Sequence, residues 1–304
     1  MDFQSSDGDG WQRAGAALRR QERVLFQRIS ERNQTRDLVT RAIEEDRVLL
    51  ALQPVVFSRS PHVTAFREGL VRIALEDGTV LSPGAVLPKI AGLAQAAQLD
   101  IAVLRLALTA LARDPALRLS VNVSPATISL GGWLEVLAAM HAEAPELCYR
   151  LIVEITETAN LAENDHVCAF IEAVRRTGAN IALDDFGAGQ TAFRYFRELR
   201  FDMVKIDGAF CHGLARDRDA QCLVRALVGV AQHFEMVSVA EHITNAEDAQ
   251  MAQDLGVDCL QGHFYGAAMV PNPARPAAVN ASPTRRSCCA RSSARRVVVC
   301  REPG

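Results

Sequence analysis

Five places in the chain carry acidic or amide side chains on apolar, strand-like runs: Glu68, Asn122, Glu154, the pair Asp184-Asp185, and Glu241. Carboxylates that converge repel one another, and the usual remedy is a divalent cation, because hard cations take oxygen ligands. A metal-dependent hydrolase is the chemistry this pattern points to first. The most specific string is Asp184-Asp185-Phe186-Gly187-Ala188-Gly189. Two adjacent carboxylates at a strand end can hold two metals, the first carboxylate bridging them. Such ions lie about 3.5–4 Å apart and stabilise both the attacking and the leaving oxygen of a phosphoryl displacement. Alone, the string is more often an N-terminal helix cap followed by a turn. Lys205-Ile206-Asp207 ends another run. A lysine beside a metal cluster can orient water or meet phosphate charge; on its own it is more often a surface residue. Glu241 suits a metal ligand, a general base, or both. Gln261-Gly262 closes the last run, where an amide can hydrogen-bond substrate or a ligand water.

These side chains need a scaffold that brings strand ends together. Strand-like segments fall at Leu49–Val56, Ala65–Ile73, Arg118–Val123, Arg150–Thr156, Asn180–Asp185, Met203–Asp207, Val237–Glu241 and Cys259–Gly262. Helical periodicity separates most of them: Leu87–Gln98, Asp100–Ala112, Gly132–Ala142, Asp165–Thr177, Thr191–Glu198, Ala215–Phe234 and Asn245–Leu255. Thr244 with Glu247 reads as a capping box for the last of these, and Arg175-Arg176-Thr177-Gly178 as a basic last turn with a glycine stop. Eight strands alternating with helices predict an α/β fold, a (β/α)8 TIM-like barrel with room for one antiparallel strand. In such barrels the C-terminal strand ends form the active site. Glu68 sits mid-segment, so its strand end stays open.

Residues 1–36 read as a polar, helical extension, 37–270 as the barrel, and 271–304 as a basic, disordered tail rich in proline and arginine. The basic run is read as solvated, with no stable nucleic-acid binding. The net charge of −3 gives no field that draws the whole chain to nucleic acid or anionic lipid. The polar N-terminus and the short apolar stretch at Ile101–Ala112 predict a cytoplasmic protein with no membrane partner. None of the eight cysteines forms a C-x-x-C pair. The first five read as buried small hydrophobes, and a zinc enzyme is set aside.

Taken together, the strings resemble the EAL-domain family of cyclic di-GMP phosphodiesterases over about Ile43 to Met269. The family's E-A-L-L-R appears as Glu68-Gly69-Leu70-Val71-Arg72, and its Y-Q-P-I-V as Leu52-Gln53-Pro54-Val55-Val56. S-V-N-L-S appears as Ser120-Val121-Asn122-Val123-Ser124, and L-E-I-T-E-S as Val153 to Thr158. The resemblance implies two Mg²⁺ or Mn²⁺ ions and hydrolysis of cyclic di-GMP to linear pGpG. It implies that Glu68, Asn122, Glu154 and Asp184 bind the first ion, and Asp184, Asp185 and Glu241 the second. Lys205 would orient the water and Glu241 would activate it. Gln53 and Arg72 would contact substrate, with Gln261 supporting the cluster. Glu157 would anchor the loop that couples the site to a dimer interface, and a homodimer is the family's preference.

Three strings depart from the family. The name motif carries Gly69 in place of alanine. Gln190-Thr191-Ala192 stands for Y-S-S, and Ala240-Glu241-His242-Ile243-Thr244-Asn245 for A-E-G-V-E-T. The alternative reading is a weak or inactive EAL module that binds cyclic di-GMP or a protein partner as a sensor.

Overall fold

The computed structural model describes residues 27, 29–156, 165–187, 196 and 199–271. Among them nine strands form one sheet: β1 (Val48–Phe57), β2 (Ser60–Ala74), β3 (Val80–Leu81), β4 (Leu119–Val123), β5 (Leu151–Thr156), β6 (Asn180–Phe186), β7 (Met203–Ile206), β8 (Val237–Ala240) and β9 (Cys259–Gln261). Their order is β1-β9-β8-β7-β6-β5-β4-β2-β3, and a further β1–β2 pairing closes the ring. Eight strands therefore make the barrel, and β3 lies outside it against β2. β1 is antiparallel to both neighbours, whereas β2 and β4 to β9 run parallel. The cause is local. Only Ser58-Arg59 separates β1 from β2, and a parallel pair needs a crossover of about a dozen residues or more.

Where the expected helices fall on described residues they occur, with two adjustments. The segment expected at Leu87–Gln98 is split. One helix spans Pro83–Ile90, and a second starts at Ala94 and runs to Arg113. Gly92 between them takes a φ of +73°, the left-handed conformation that stops a helix at low steric cost. The helix Ala94–Arg113 is long and apolar enough to cross a membrane by length and composition. Its buried residues include Leu99, Val103, Leu104, Ala107, Leu108 and Leu111, and that face packs into the barrel's main core cluster. The expected capping box is shifted by one residue. Asn245, not Thr244, caps the helix Ala246–Asp254 by accepting from Asp248 N at 2.8 Å. Asp248 is itself buried and accepts from Gly213 N and Ala215 N, which ties this helix to the preceding loop.

The glycine stop at Gly178 holds: its φ is +83°, and its N–H donates to Arg175 O at 2.9 Å. The cysteine reading holds for Cys148, Cys211 and Cys259, which are buried. Cys168 is half-buried and Cys222 is exposed. Residues 1–26 and 272–304 lie outside the described residues, as do Glu157, the Gln190-Thr191-Ala192 loop and, apart from Phe196, the helix expected at Thr191–Glu198.

Candidate active site

Side chains on a strand alternate with a period of two, so inward positions recur at every second residue. Inside the barrel, Val55, Phe66, Ile152, Ala182, Met203, Val239 and Cys259 form one apolar cluster. Two residues beyond them on the parallel strands come Glu68, Glu154, Asp184, Lys205, Glu241 and Gln261. β4 follows the same step, with buried Ser120 before Asn122. β1 runs the other way, so its polar residue, Gln53, comes two before Val55. Each of the eight barrel strands thus contributes one polar side chain to a single layer, seated on an apolar plug. The plug keeps water out from below. It also explains why the layer is so dry: Glu154 is 0% exposed and Lys205 1%.

Lys205 occupies the middle of this layer. Its Nζ lies 2.7 Å from Glu241 Oε1, 2.8 Å from Glu154 Oε2, 3.2 Å from Asp184 Oδ1 and 3.4 Å from Glu68 Oε2. Burial works to strip the ammonium of its proton, but the surrounding carboxylates, Glu154 foremost, outweigh it and hold Lys205 firmly charged. The carboxylates divide. Burial also works against Glu68, yet Lys205 and hydrogen bonds from Gln261 and Asn122 bring its carboxyl below the ordinary value. Burial wins at Glu154, where Glu68 and Asp184 add repulsion and the pKa rises well above the ordinary one. Glu241 is pushed up to about 7, again by burial first and despite Lys205.

Adjacent residues on a regular strand point to opposite faces, so Asp184 and Asp185 should not share a site. They do because the strand is broken between them. Asp185 has a φ of +57°, and the β6–β7 register slips between Leu183 and Phe186. Such irregularities re-aim side chains next to active sites. Ligand atoms of Asp184, Asp185 and Glu241 then lie within 4.8 Å of one another. Burial, Asp184 and Asp207 together raise the Asp185 pKa. Asp207, to which the sequence assigns no role of its own, accepts from Ala209 N and caps the helix Gly208–Cys211.

The amides knit the layer together. Asn122 Nδ2 donates to Glu68 Oε1 at 2.8 Å, and Gln261 Nε2 donates to Glu68 Oε2 and to Gln53 Oε1. Gln53 in turn donates to Gly266 O at 3.1 Å. Arg72 stands apart. It lies four residues beyond Glu68 on β2, roughly 13 Å along the strand at about 3.3 Å per residue, and its Nη1 donates to Val71 O.

The donor set fits a hard cation. Every candidate ligand atom is an oxygen, the set that suits Mg²⁺ or Mn²⁺. Glu154 Oε1 and Gln261 Oε1 are buried with no hydrogen-bond partner among the described residues, and Asp184 Oδ1 has only its ion pair with Lys205. Buried oxygens of this kind are rare in folded proteins and call for a reason.

Comparison with known proteins agrees with this geometry. Residues 36–268 match the EAL domain. The cyclic di-GMP phosphodiesterase PdeF of Escherichia coli is 25% identical over 262 residues, which cover 85% of this chain and 34% of that protein. The cyclic di-GMP phosphodiesterase PdeB of Shewanella oneidensis is 29% identical over 234 residues, covering 75% of this chain and 27% of that one. The chain therefore spans about a third of the length of these relatives. Among solved structures, the PaMucR phosphodiesterase in its c-di-GMP complex superposes with a TM-score of 0.70 at 25% identity, covering 78% of this chain and 98% of that one. The Xanthomonas citri FimX EAL domain in complex with c-diGMP gives 0.70 at 21% identity, covering 77% and 93%; at that identity it speaks to the barrel fold alone. With the match running across the whole barrel and every strand supplying its polar residue, the chain belongs to the EAL domain family.

Proposed function

We propose that this protein hydrolyses cyclic di-GMP to linear pGpG with the help of two divalent cations, Mg²⁺ or Mn²⁺. The single observation that carries the reading is the complete polar layer, with Asp184, Asp185 and Glu241 gathered at one side of it. Five carboxylates, Glu68, Glu154, Asp184, Asp185 and Glu241, face one ammonium, which leaves four negative charges when all are ionised. That is the charge of two divalent cations. Glu68, Asn122, Glu154 and Asp184 would hold one, and Asp184, Asp185 and Glu241 the other. When bound, the pair supplies Lewis acidity to the phosphodiester and lowers the pKa of the attacking water.

The chain's own residues do the rest. Glu241 accepts a proton from the water as its oxygen bonds to phosphorus and the phosphorus–O3′ bond breaks. The departing O3′ takes a proton from solvent. A positioned base of this kind contributes about 10²–10⁴-fold. Lys205 is charged, central and able to donate, so it orients the water. Gln53 lies in the layer beside Glu68 and Arg72 four residues nearer the rim on the adjacent strand, and both would contact the nucleotide. The test is release of pGpG from cyclic di-GMP with Mg²⁺ or Mn²⁺, beside Glu241→Ala, which should abolish it. Binding of cyclic di-GMP with no turnover in either metal would replace the enzyme by the sensor reading.

A further inference from the structure

The residue after Glu241 is His242, at a place where the family carries glycine. Its φ is +54°, in the left-handed region that few residues besides glycine adopt, histidine being among those enriched there. The turn cannot relax easily. Ile243 is fully buried, its N–H donates to Gln261 O at 2.9 Å, and its carbonyl accepts from Phe264 N at 3.1 Å. Across from it, Gly208 follows Asp207 at the end of β7. Gly208 has no left-handed φ to explain it. What it has is a neighbour: a methyl group at Gly208 would collide with Nδ1, Cγ and Cβ of His242. A glycine thus stands at 208 where the backbone asks for none, and the room it leaves seats one imidazole between the ends of β7 and β8.

From this we infer that His242 is a substrate-positioning residue; the inference rests on the function proposed above. The Nδ1–Cγ edge of the ring lies against Gly208, so the opposite edge, with Nε2, is turned outward, and the residue is exposed. It is the residue after Glu241, at the barrel mouth. Nε2–H donates a hydrogen bond to an anionic phosphate oxygen of the bound nucleotide and helps place the scissile bond over Glu241.

The experiment uses the full chain with cyclic di-GMP and Mn²⁺, comparing wild type, His242→Gly, Gly208→Ala and the double variant. His242→Gly should raise KM about tenfold, the effect of one hydrogen bond to a charged group, with a smaller change in kcat. Its thermal midpoint should hold or rise, because glycine suits the left-handed turn. Gly208→Ala keeps the imidazole but pushes it off its seat, so it should raise KM similarly. The double variant should be no worse than either single one, since both act through one ring. A KM within about twofold of wild type in His242→Gly, or additive effects in the double variant, overturns the inference. A wild-type protein that neither binds nor cleaves cyclic di-GMP overturns the functional reading and this inference with it.

Discussion

Replacing Lys205 by methionine tests whether this residue is part of the architecture as well as of the chemistry. Methionine keeps most of the side chain's length and apolar volume and deletes the charge. In the metal-free protein the ammonium is 2.7–3.4 Å from four carboxylates that share one buried layer. Removing one partner of a buried ion pair costs about 3–5 kcal/mol, because the remaining charge is left uncompensated. Here four acids lose one counter-ion. They respond by taking up protons, which caps the loss near that range and makes it depend on pH. At about pH 8, where protons are scarce, unfolding in EDTA should shift by about 3–5 kcal/mol, or about 6–15 °C at the 2–3 °C per kcal/mol suited to a domain of this size.

The same variant should recover most of the loss when Mn²⁺ is added, since divalent cations supply the missing positive charge. The rise in midpoint on adding Mn²⁺ should therefore be larger in Lys205→Met than in wild type. Differential scanning fluorimetry with and without chelator reads both quantities, and circular dichroism confirms that the fold is retained. A metal-free midpoint within about 2 °C of wild type, under 1 kcal/mol, would show that the four carboxylates do not need the lysine. The account of the layer as a charge-balanced unit would then fail, even if turnover were lost.

The raised pKa of Glu241 makes metal binding proton-linked. Its carboxyl is largely protonated below about 7 and must ionise to bind a cation. Mn²⁺ affinity should therefore rise with pH across about 6 to 8, with net proton release on binding that shrinks toward the upper end; calorimetry in buffers of different ionisation enthalpy measures both, and a flat affinity would refute the shift. The sign for stability is the reverse. A carboxyl raised in the folded state binds more protons there than in the unfolded chain, so it lowers metal-free stability as pH rises from about 4.5 to about 7. Arg150→Ala should destabilise by about 2–4 kcal/mol in chemical denaturation and leave KM alone, because its guanidinium donates to the carbonyls of Leu111, Asp114 and Leu117 around the end of the helix Ala94–Arg113. Gly69→Ala restores the family's motif, but the new methyl would lie 3.0 Å from both Ser120 O and Leu50 Cδ1. β4 would have to yield for it, so the variant should lose about 1 kcal/mol and some kcat; a gain in both would show that the barrel wall has slack there.

Much of this site is written in the sequence, because a barrel converts a linear pattern into a ring. Each strand reads as an apolar residue, a gap, then a polar one: Phe66 and Glu68, Ile152 and Glu154, Ala182 and Asp184, Met203 and Lys205, Val239 and Glu241, Cys259 and Gln261. Period two and the expectation of a barrel suffice to place all of them at one level. Glu68 looked misplaced only because β2 continues to Ala74, well past the layer. What stayed hidden depends on backbone conformation or on reach across the ring. The left-handed φ of Asp185 is not dictated by an aspartate, which adopts ordinary strand angles far more often. The central seat of Lys205 follows from side-chain length and the dryness around it. The shifted cap at Asn245 reflects a competition between two good capping residues, which the buried partner Asp248 decides.

The broken alternation at Asp184-Asp185 also bears on how one ring would serve the two ions proposed above. A regular eight-stranded layer offers one side chain per strand, and here one of those places is taken by a cation, Lys205. Four acids from Glu68, Glu154, Asp184 and Glu241 must then satisfy that lysine before any metal is considered. A fifth carboxylate has no strand left to come from unless some strand contributes twice. β6 does so by placing Asp185 in the left-handed region and slipping register against β7. The cost of one strained residue, about 1–3 kcal/mol, adds the negative charge that raises the total from three to four. Asp185→Gly would keep the turn and remove the charge. It should leave the fold at least as stable, while Mn²⁺ titration followed by calorimetry should lose the weaker of two binding events and keep the tighter one. Loss of both events together would mean that the ring binds its cations as one inseparable unit, and that Asp185 is not the residue that makes room for the second.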